Sequence, residues 1–121
     1  MAQAHVVAHN TELQLCVDAC LDCFKACQQM ALTHCLQVGA AHVAPEHFRL
    51  MLDCAELCRA AATLMLNGST AQFELCALCA RLCRECANSC RKLDGMDECV
   101  SECERCADLC ERMTTLAPNT K

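Results

Sequence analysis

The stretch CALCARLCRECANSC, residues 76–90, decides how this chain folds. Its cysteines fall at Cys76, Cys79, Cys83, Cys86 and Cys90, in alternating steps of three and four with no Gly or Pro between them. With 3.6 residues per turn, that rhythm keeps every thiol on one face of an α-helix. Ala, Leu, Arg, Glu, Asn and Ser occupy the other positions, and most of them suit a helix. The spacing predicts a helix carrying a continuous rail of thiols, with the flanking segments built to face it.

Downstream, Asp94-Gly95 reads as a tight break, and a further helix follows with Met96, Cys99, Cys103, Cys106, Cys110 and Met113 on one face, ending before Pro118. Upstream, Ser69 with Gln72 reads as the cap of the rail helix, just after the Asn67-Gly68 stop. The helix before that stop opens at Pro45, a residue suited to a first turn. Its inward face reads His47, Met51, Cys54, Cys58, Ala61 or Ala62, and Met65. Thr11 with Gln14 fits a capping box for the first helix, which faces inward through Leu13, Cys16, Cys20, Cys23, Cys27, Met30 and His34 and stops at Gly39. Cys35 falls one step to the side of that face. Residues 1–10, with His5 and His9, read as a tail or a short extra helix.

Four amphipathic helices with short links predict an all-α fold, an antiparallel up-down-up-down four-helix bundle with a cysteine-lined core. The three-four rhythm is also that of a left-handed bundle seam. The 121 residues suffice for one domain, residues 1–121. There are 16 cysteines but no Trp and no Tyr, so sulfur stands where a core normally holds large hydrocarbon side chains. A net charge of -5 without a basic cluster argues against nucleic acid as a partner. No apolar run reaches the roughly 18 residues of a membrane span, and no secretory leader is evident. The expected location is therefore cytoplasmic, where dense cysteine indicates metal or redox chemistry rather than disulfide staples.

Helical spacing itself opposes disulfides: neighbours at i,i+3 and i,i+4 have Cβ atoms ~5–6 Å apart, against the ~3.8 Å of a disulfide. Metal remains. The CxxC pairs (Cys20/Cys23, Cys76/Cys79, Cys83/Cys86, Cys103/Cys106) all lie inside helices, whereas structural zinc sites present theirs on turns. The commoner unit is CxxxC, as in Cys16/Cys20, Cys54/Cys58 and Cys86/Cys90. Soft thiolates select Cu(I), zinc or iron–sulfur clusters. Buried thiolates need counter-charge. Four Zn²⁺ among 16 thiolates would leave about eight negative charges uncompensated, whereas Cu(I) at one per cysteine leaves the core neutral. Multiple Cu(I) ions fit best. Zinc sequestration and an Fe–S electron-transfer protein stand as alternatives. No nucleophile–base pair or phosphate loop suggests an enzyme.

Together with the segment GAAHVAPEHFRLMLDCAELCRAAATLMLNGS, residues 39–69, these rails resemble the copper storage proteins, in their cytosolic branch. The resemblance covers the chain from about Thr11 to Leu116. It implies a bundle whose interior binds many Cu(I) ions, assembled as a homotetramer and engaged in copper homeostasis. The ligand set it implies is Cys16, Cys20, Cys23, Cys27, Cys54, Cys58, Cys76, Cys79, Cys83, Cys86, Cys90, Cys99, Cys103, Cys106 and Cys110, with Cys35 beside them. The expected partners are copper ions and their donor, a copper chaperone or a small-molecule thiol.

Alternating helix directions gather Met30, His34, His47, Met51, Cys90, Met96 and Cys99 at one end of the bundle. Met and His are neutral, exchangeable Cu(I) ligands, so Met30, His34, His47 and Met51 complete the candidate metal set as a mouth. His42 reads as a solvated linker residue. Leu13, Met65, Phe73 and Met113 read as a hydrophobic plug at the other end.

Overall fold

The computed structural model describes residues 2–118, with side chains from Thr11 onward. The first helix, α1, spans Ala2–Met30 and continues without a break through a π-helical turn, Ala31–Cys35, and a last α turn, Leu36–Val38. Gly39 (φ 74°) and Ala40 (φ 49°) reverse the chain into a 3₁₀ turn, Ala40–Val43. Then follow α2 (Pro45–Leu66), α3 (Gln72–Arg91) and α4 (Asp97–Thr114). Pro45 sits in the first turn of α2, where its missing N–H costs nothing. Gly68 (φ 69°) and Gly95 (φ 76°) supply the left-handed residues of the two remaining turns. Each helix packs on its neighbour in sequence and α4 closes back on α1, which makes the four-helix bundle.

Two helix starts differ from the capping patterns. The backbone of residues 2–10 belongs to α1, so Thr11 lies inside the helix and does not open it. The side chains of His5 and His9 lie outside the described ones. At α3 the Ser69–Gln72 pair does interact, but as a turn. Ser69 Oγ accepts from the Ala71 N–H at 3.1 Å, and the Gln72 side-chain amide donates to the Ser69 carbonyl at 2.8 Å.

The larger correction concerns the end of the first helix. Met30 is half-buried and His34 partly exposed, while Ala31 and Cys35 are fully buried. A π turn is wider than an α turn, so it delays the inward face by one residue. The buried series therefore runs Cys27, Ala31, Cys35, and the thiol that spacing placed off the face is turned into the core.

Buried apolar positions are Cys, Ala and Met, with Val17 the single branched exception among the described residues. Larger side chains, including Leu21, Phe24, Leu52, Leu57, Phe73 and Leu109, sit half-buried around this interior. Small residues along the seams let the helix backbones approach, and the Leu/Phe layer removes apolar surface from water without any metal. Exposed ion pairs hold the register outside: Arg84 to Asp108 and Glu111, Arg91 to Glu104, Arg105 to Asp22, and Arg112 to Glu12. Each contributes at most about 1 kcal/mol.

Candidate metal centre

All 16 cysteines are free and fully buried. Eleven of their sulfurs form a continuous ladder down the bundle axis. From Cys16 the path runs to Cys110 (3.8 Å), Cys20 (3.6 Å), Cys106 (3.6 Å) and Cys58 (3.8 Å). It continues to Cys83 (3.7 Å), Cys23 (4.0 Å), Cys103 (3.7 Å) and Cys27 (3.5 Å). Cys79 joins at Cys58 (3.6 Å) and Cys54 at Cys83 (3.6 Å). Every helix thus feeds the ladder, because each turns its three-four rhythm to the same axis.

Five groups of sulfurs lie mutually within 4.8 Å. They are Cys16/Cys76/Cys110, Cys20/Cys79/Cys106/Cys110, Cys58/Cys79/Cys83/Cys106, Cys23/Cys54/Cys58/Cys83 and Cys23/Cys27/Cys54/Cys103. Each group shares members with the next. Tetrahedral zinc with Zn–S ≈ 2.3 Å wants sulfurs ~3.8 Å apart, so single groups fit zinc. No more than two four-sulfur groups can be filled without sharing a cysteine. A metal that accepts bridging thiolates and few ligands uses the whole ladder; closed zinc sites strand much of it.

Protonation follows the same contacts. Cys58, Cys103 and Cys106 are held protonated, in each case by a neighbouring sulfur first (Cys106, Cys23 and Cys110 respectively) with burial adding to it. Burial first, then the charge of Cys90, raises Cys35. Cys90 goes the other way, to about 4, because Cys86 and then Cys99 offer it hydrogen bonds.

Beyond the ladder, Cys86 lies 3.9 Å from Cys90, and Cys99 donates to the Ala26 carbonyl at 3.6 Å. The Cys35 thiol contacts the sulfurs of Met51 (3.7 Å) and Met96 (3.9 Å). The histidines of this end are fixed rather than loose. Nε2 of His34 (3.2 Å) and Nε2 of His42 (2.9 Å) both bond to the Asp94 carbonyl, with the rings edge to face at 5.2 Å. His42 is 6% exposed, so it is not the solvated linker residue its setting suggested; the 3₁₀ turn folds it inward onto the α3–α4 turn. A Cβ at Gly95 would come within 2.8 Å of His34 Nε2, which explains a glycine there beyond its φ. His47 Nδ1 and the Ser89 hydroxyl share a 2.7 Å hydrogen bond, while His47 Nε2 is buried without a partner. Burial lowers the pKa of this imidazole.

At the opposite end Leu13, Met65, Phe73 and Met113 surround a pocket of about 200 Å³, with Gly68, Gln72 and Leu116 completing its wall, instead of closing it as a solid plug.

Fold and site together define a thiol-lined helical bundle suited to holding many soft metal ions. Residues 9–115 match the copper storage protein family, and the chain belongs to that family. Its backbone is similar to the crystal structure of the Nmul_A1745 protein from Nitrosospira multiformis (46% identity, TM-score 0.87, covering 88% of this chain and 98% of that one). It is also similar to the Cu(I)-bound copper storage protein BsCsp3 (35% identity, TM-score 0.78, 85% and 98%). The apo Csp3 from Bacillus subtilis is a further likeness (36% identity, TM-score 0.73, 84% and 97%). The uncharacterized cysteine-rich protein YhjQ of Bacillus subtilis is 39% identical over 67 residues, which cover 55% of this chain and 61% of that relative's length.

Proposed function

We propose that this chain stores multiple Cu(I) ions along its sulfur ladder, as a sink or supply and not as a catalyst. The carrying observation is the path from Cys16 to Cys27, in which no sulfur–sulfur step exceeds 4.0 Å. Ions bridging such neighbours share thiolates, and one Cu(I) per cysteine neutralises the interior. Each Cu(I) that replaces a thiol proton leaves the core charge unchanged, with the proton passing to the donor's ligand or to water. Ions then advance by exchange between adjacent thiolates. All 16 cysteines serve as ligands in this reading.

The His/Met end is the proposed mouth. His47 supports it best: Nδ1 is held by the Ser89 hydroxyl and Nε2 is left without a partner, and in the tautomer that donates from Nδ1 that Nε2 presents a lone pair. Met51 follows beneath, and His34 and Met30 flank the opening. A copper chaperone or a small-molecule thiol would deliver there.

A cytosolic setting is supported by the need to keep the thiols reduced; among the described residues no helix is long and apolar enough to cross a membrane. A single domain over 1–121 and a homotetramer complete the proposal. For the tetramer, Leu15, Leu32, Leu36, Val38 and Leu66 are exposed, mostly along the α1 side rather than on α2, where Leu52 and Leu57 are half-buried against the core. Sedimentation velocity showing only monomer at micromolar concentration would refute it.

The function is tested by competition. Reduced protein offered equal Cu(I) and Zn²⁺ anaerobically, then weighed by native mass spectrometry, should carry copper alone. Retention of two zinc ions at saturating copper would instead favour closed zinc sites.

A further inference from the structure

The end of the bundle opposite the histidines holds a pocket that the proposed mouth leaves unused. Its volume is about 200 Å³, and all four helices line it: Leu13 from α1, Met65 from α2, Phe73 from α3 and Met113 from α4. Leu13, Phe73 and Met113 each stand about one helical turn outside a cysteine, namely Cys16, Cys76 and Cys110. Those cysteines are the outermost thiol group at this end, with their sulfurs within 4.8 Å of one another. The pocket therefore lies over the end of the ladder.

The ladder also reaches this end more completely than the other. Cys16 meets Cys110 at 3.8 Å, and Cys110 meets Cys20 at 3.6 Å. At the histidine end the ladder stops at Cys27, with Cys35, Cys86, Cys90 and Cys99 outside it. Loose packing at a bundle end is the plain explanation of such a pocket, with Met65 and Met113 as filler. Yet these two side chains, 1% and 4% exposed, border an unfilled space one turn from three thiols. Methionine is unbranched, with three rotatable bonds, so this floor can part without moving a helix.

Resting on the copper reading above, we propose that this pocket is a second exchange port, through which a small amino-thiol reaches Cys16, Cys76 and Cys110 and withdraws Cu(I). The size selects a small molecule, because drug-sized ligands occupy pockets of ~300–1,000 Å³. No charged side chain lines it, which favours entry of a neutral thiol over a thiolate. Glu74 lines the adjoining hollow, which shares Phe73 with the pocket, so a cationic carrier is attracted and an anionic one repelled. The exchange is ligand substitution without change of oxidation state. A bond forms between the carrier's sulfur and Cu(I), a cysteine–copper bond breaks, and the carrier's thiol proton passes to the departing cysteine. The core charge is unchanged. A protein donor is too large for this port and is left to the histidine end.

The first test needs no copper and no variant. Reduced full-length apo protein is treated with a substoichiometric amount of aminoethyl methanethiosulfonate, and the first modified cysteines are located by peptide mass spectrometry. In that reaction a cysteine sulfur bonds to the reagent's aminoethylthio sulfur, and methanesulfinate leaves. Cys16, Cys76 and Cys110 should be marked before the other thiols, and faster than by the anionic sulfonatoethyl reagent of similar size. First marks at Cys35, Cys90 or Cys99, or an even spread over the 16 cysteines, would overturn the port. Equal rates with the two reagents would overturn the choice of an amino-thiol.

The second test follows anaerobic transfer of copper from loaded protein to a chromophoric chelator, with cysteamine as the carrier. Leu116→Trp, which fills the pocket from its wall, should slow the cysteamine-dependent rate severalfold. Its copper count and helical circular dichroism should match those of the unmutated protein. An unchanged rate at an unchanged count would overturn the port and leave storage standing. First labelling at Cys16, Cys76 and Cys110 in a protein that saturates at one to three copper ions would retain the route and overturn storage. Should Leu116→Trp misfold, the labelling of the unmutated protein still decides.

Discussion

The Sγ atoms of Cys27 and Cys103 lie 3.5 Å apart, although 76 positions separate them in the chain. The contact closes the bundle, because it joins the first helix to the last across the axis. It also places Cys103 against Cys23 (3.7 Å) and in one group with Cys27 and Cys54. Cys103→Ser keeps the shape but substitutes a hard hydroxyl for a soft ligand. Copper capacity should fall by roughly one or two ions. The buried hydroxyl, facing sulfur on several sides, should cost the apo fold about 1–3 kcal/mol. Native mass spectrometry and urea unfolding measure the two effects separately.

His47 should govern rate more than capacity. It is one neutral ligand beside 16 thiols, so His47→Gln, which can still bond to Ser89, should leave the copper count almost unchanged. Transfer of copper to an external chelator should slow severalfold. Identical rates in the variant and the unmutated protein would place the copper route elsewhere.

The same residue makes the apo protein sensitive to acid. Burial lowers the His47 pKa in the fold, the neighbouring Cys90 opposes this, and His42 adds to it. As pH falls through about 6.5, the ordinary histidine value, the unfolded chain takes up a proton that the folded chain refuses. Stability is therefore present above that pH and declines below it, down to the depressed native value. The urea midpoint of apo protein should drop between pH 7.5 and 5.5, and drop less in His47→Gln. An equal drop in both would show that His47 is not the group responsible.

Much of this architecture was legible because the cysteine rhythm is so regular. Cys76 to Cys90 and Cys99 to Cys110 turn inward as spacing alone requires, and Asn67-Gly68 and Asp94-Gly95 mark real turns. Three features were not legible. A capping pair at Thr11 carries no weight when the residues before it also favour a helix. The π turn at Ala31–Cys35 leaves no Pro or Gly signature, so α-helical counting chose Met30 and His34 where the fold chose Ala31 and Cys35. His42 looked solvated because its partner, the Asp94 carbonyl, is backbone and 52 positions away. Long-range contacts to main chain leave nothing in the residue pattern to read.

The central claim is that the sulfur ladder is shared by many monovalent ions and is not divided into a few closed sites. Anaerobic titration of fully reduced apo protein with Cu(I), scored by the thiolate–copper bands against a competing chelator, tests it most directly. With no Trp or Tyr to obscure them, those bands should rise to an end point of about 16 ions per chain, near one per cysteine. An end point of one to three ions would contradict the account.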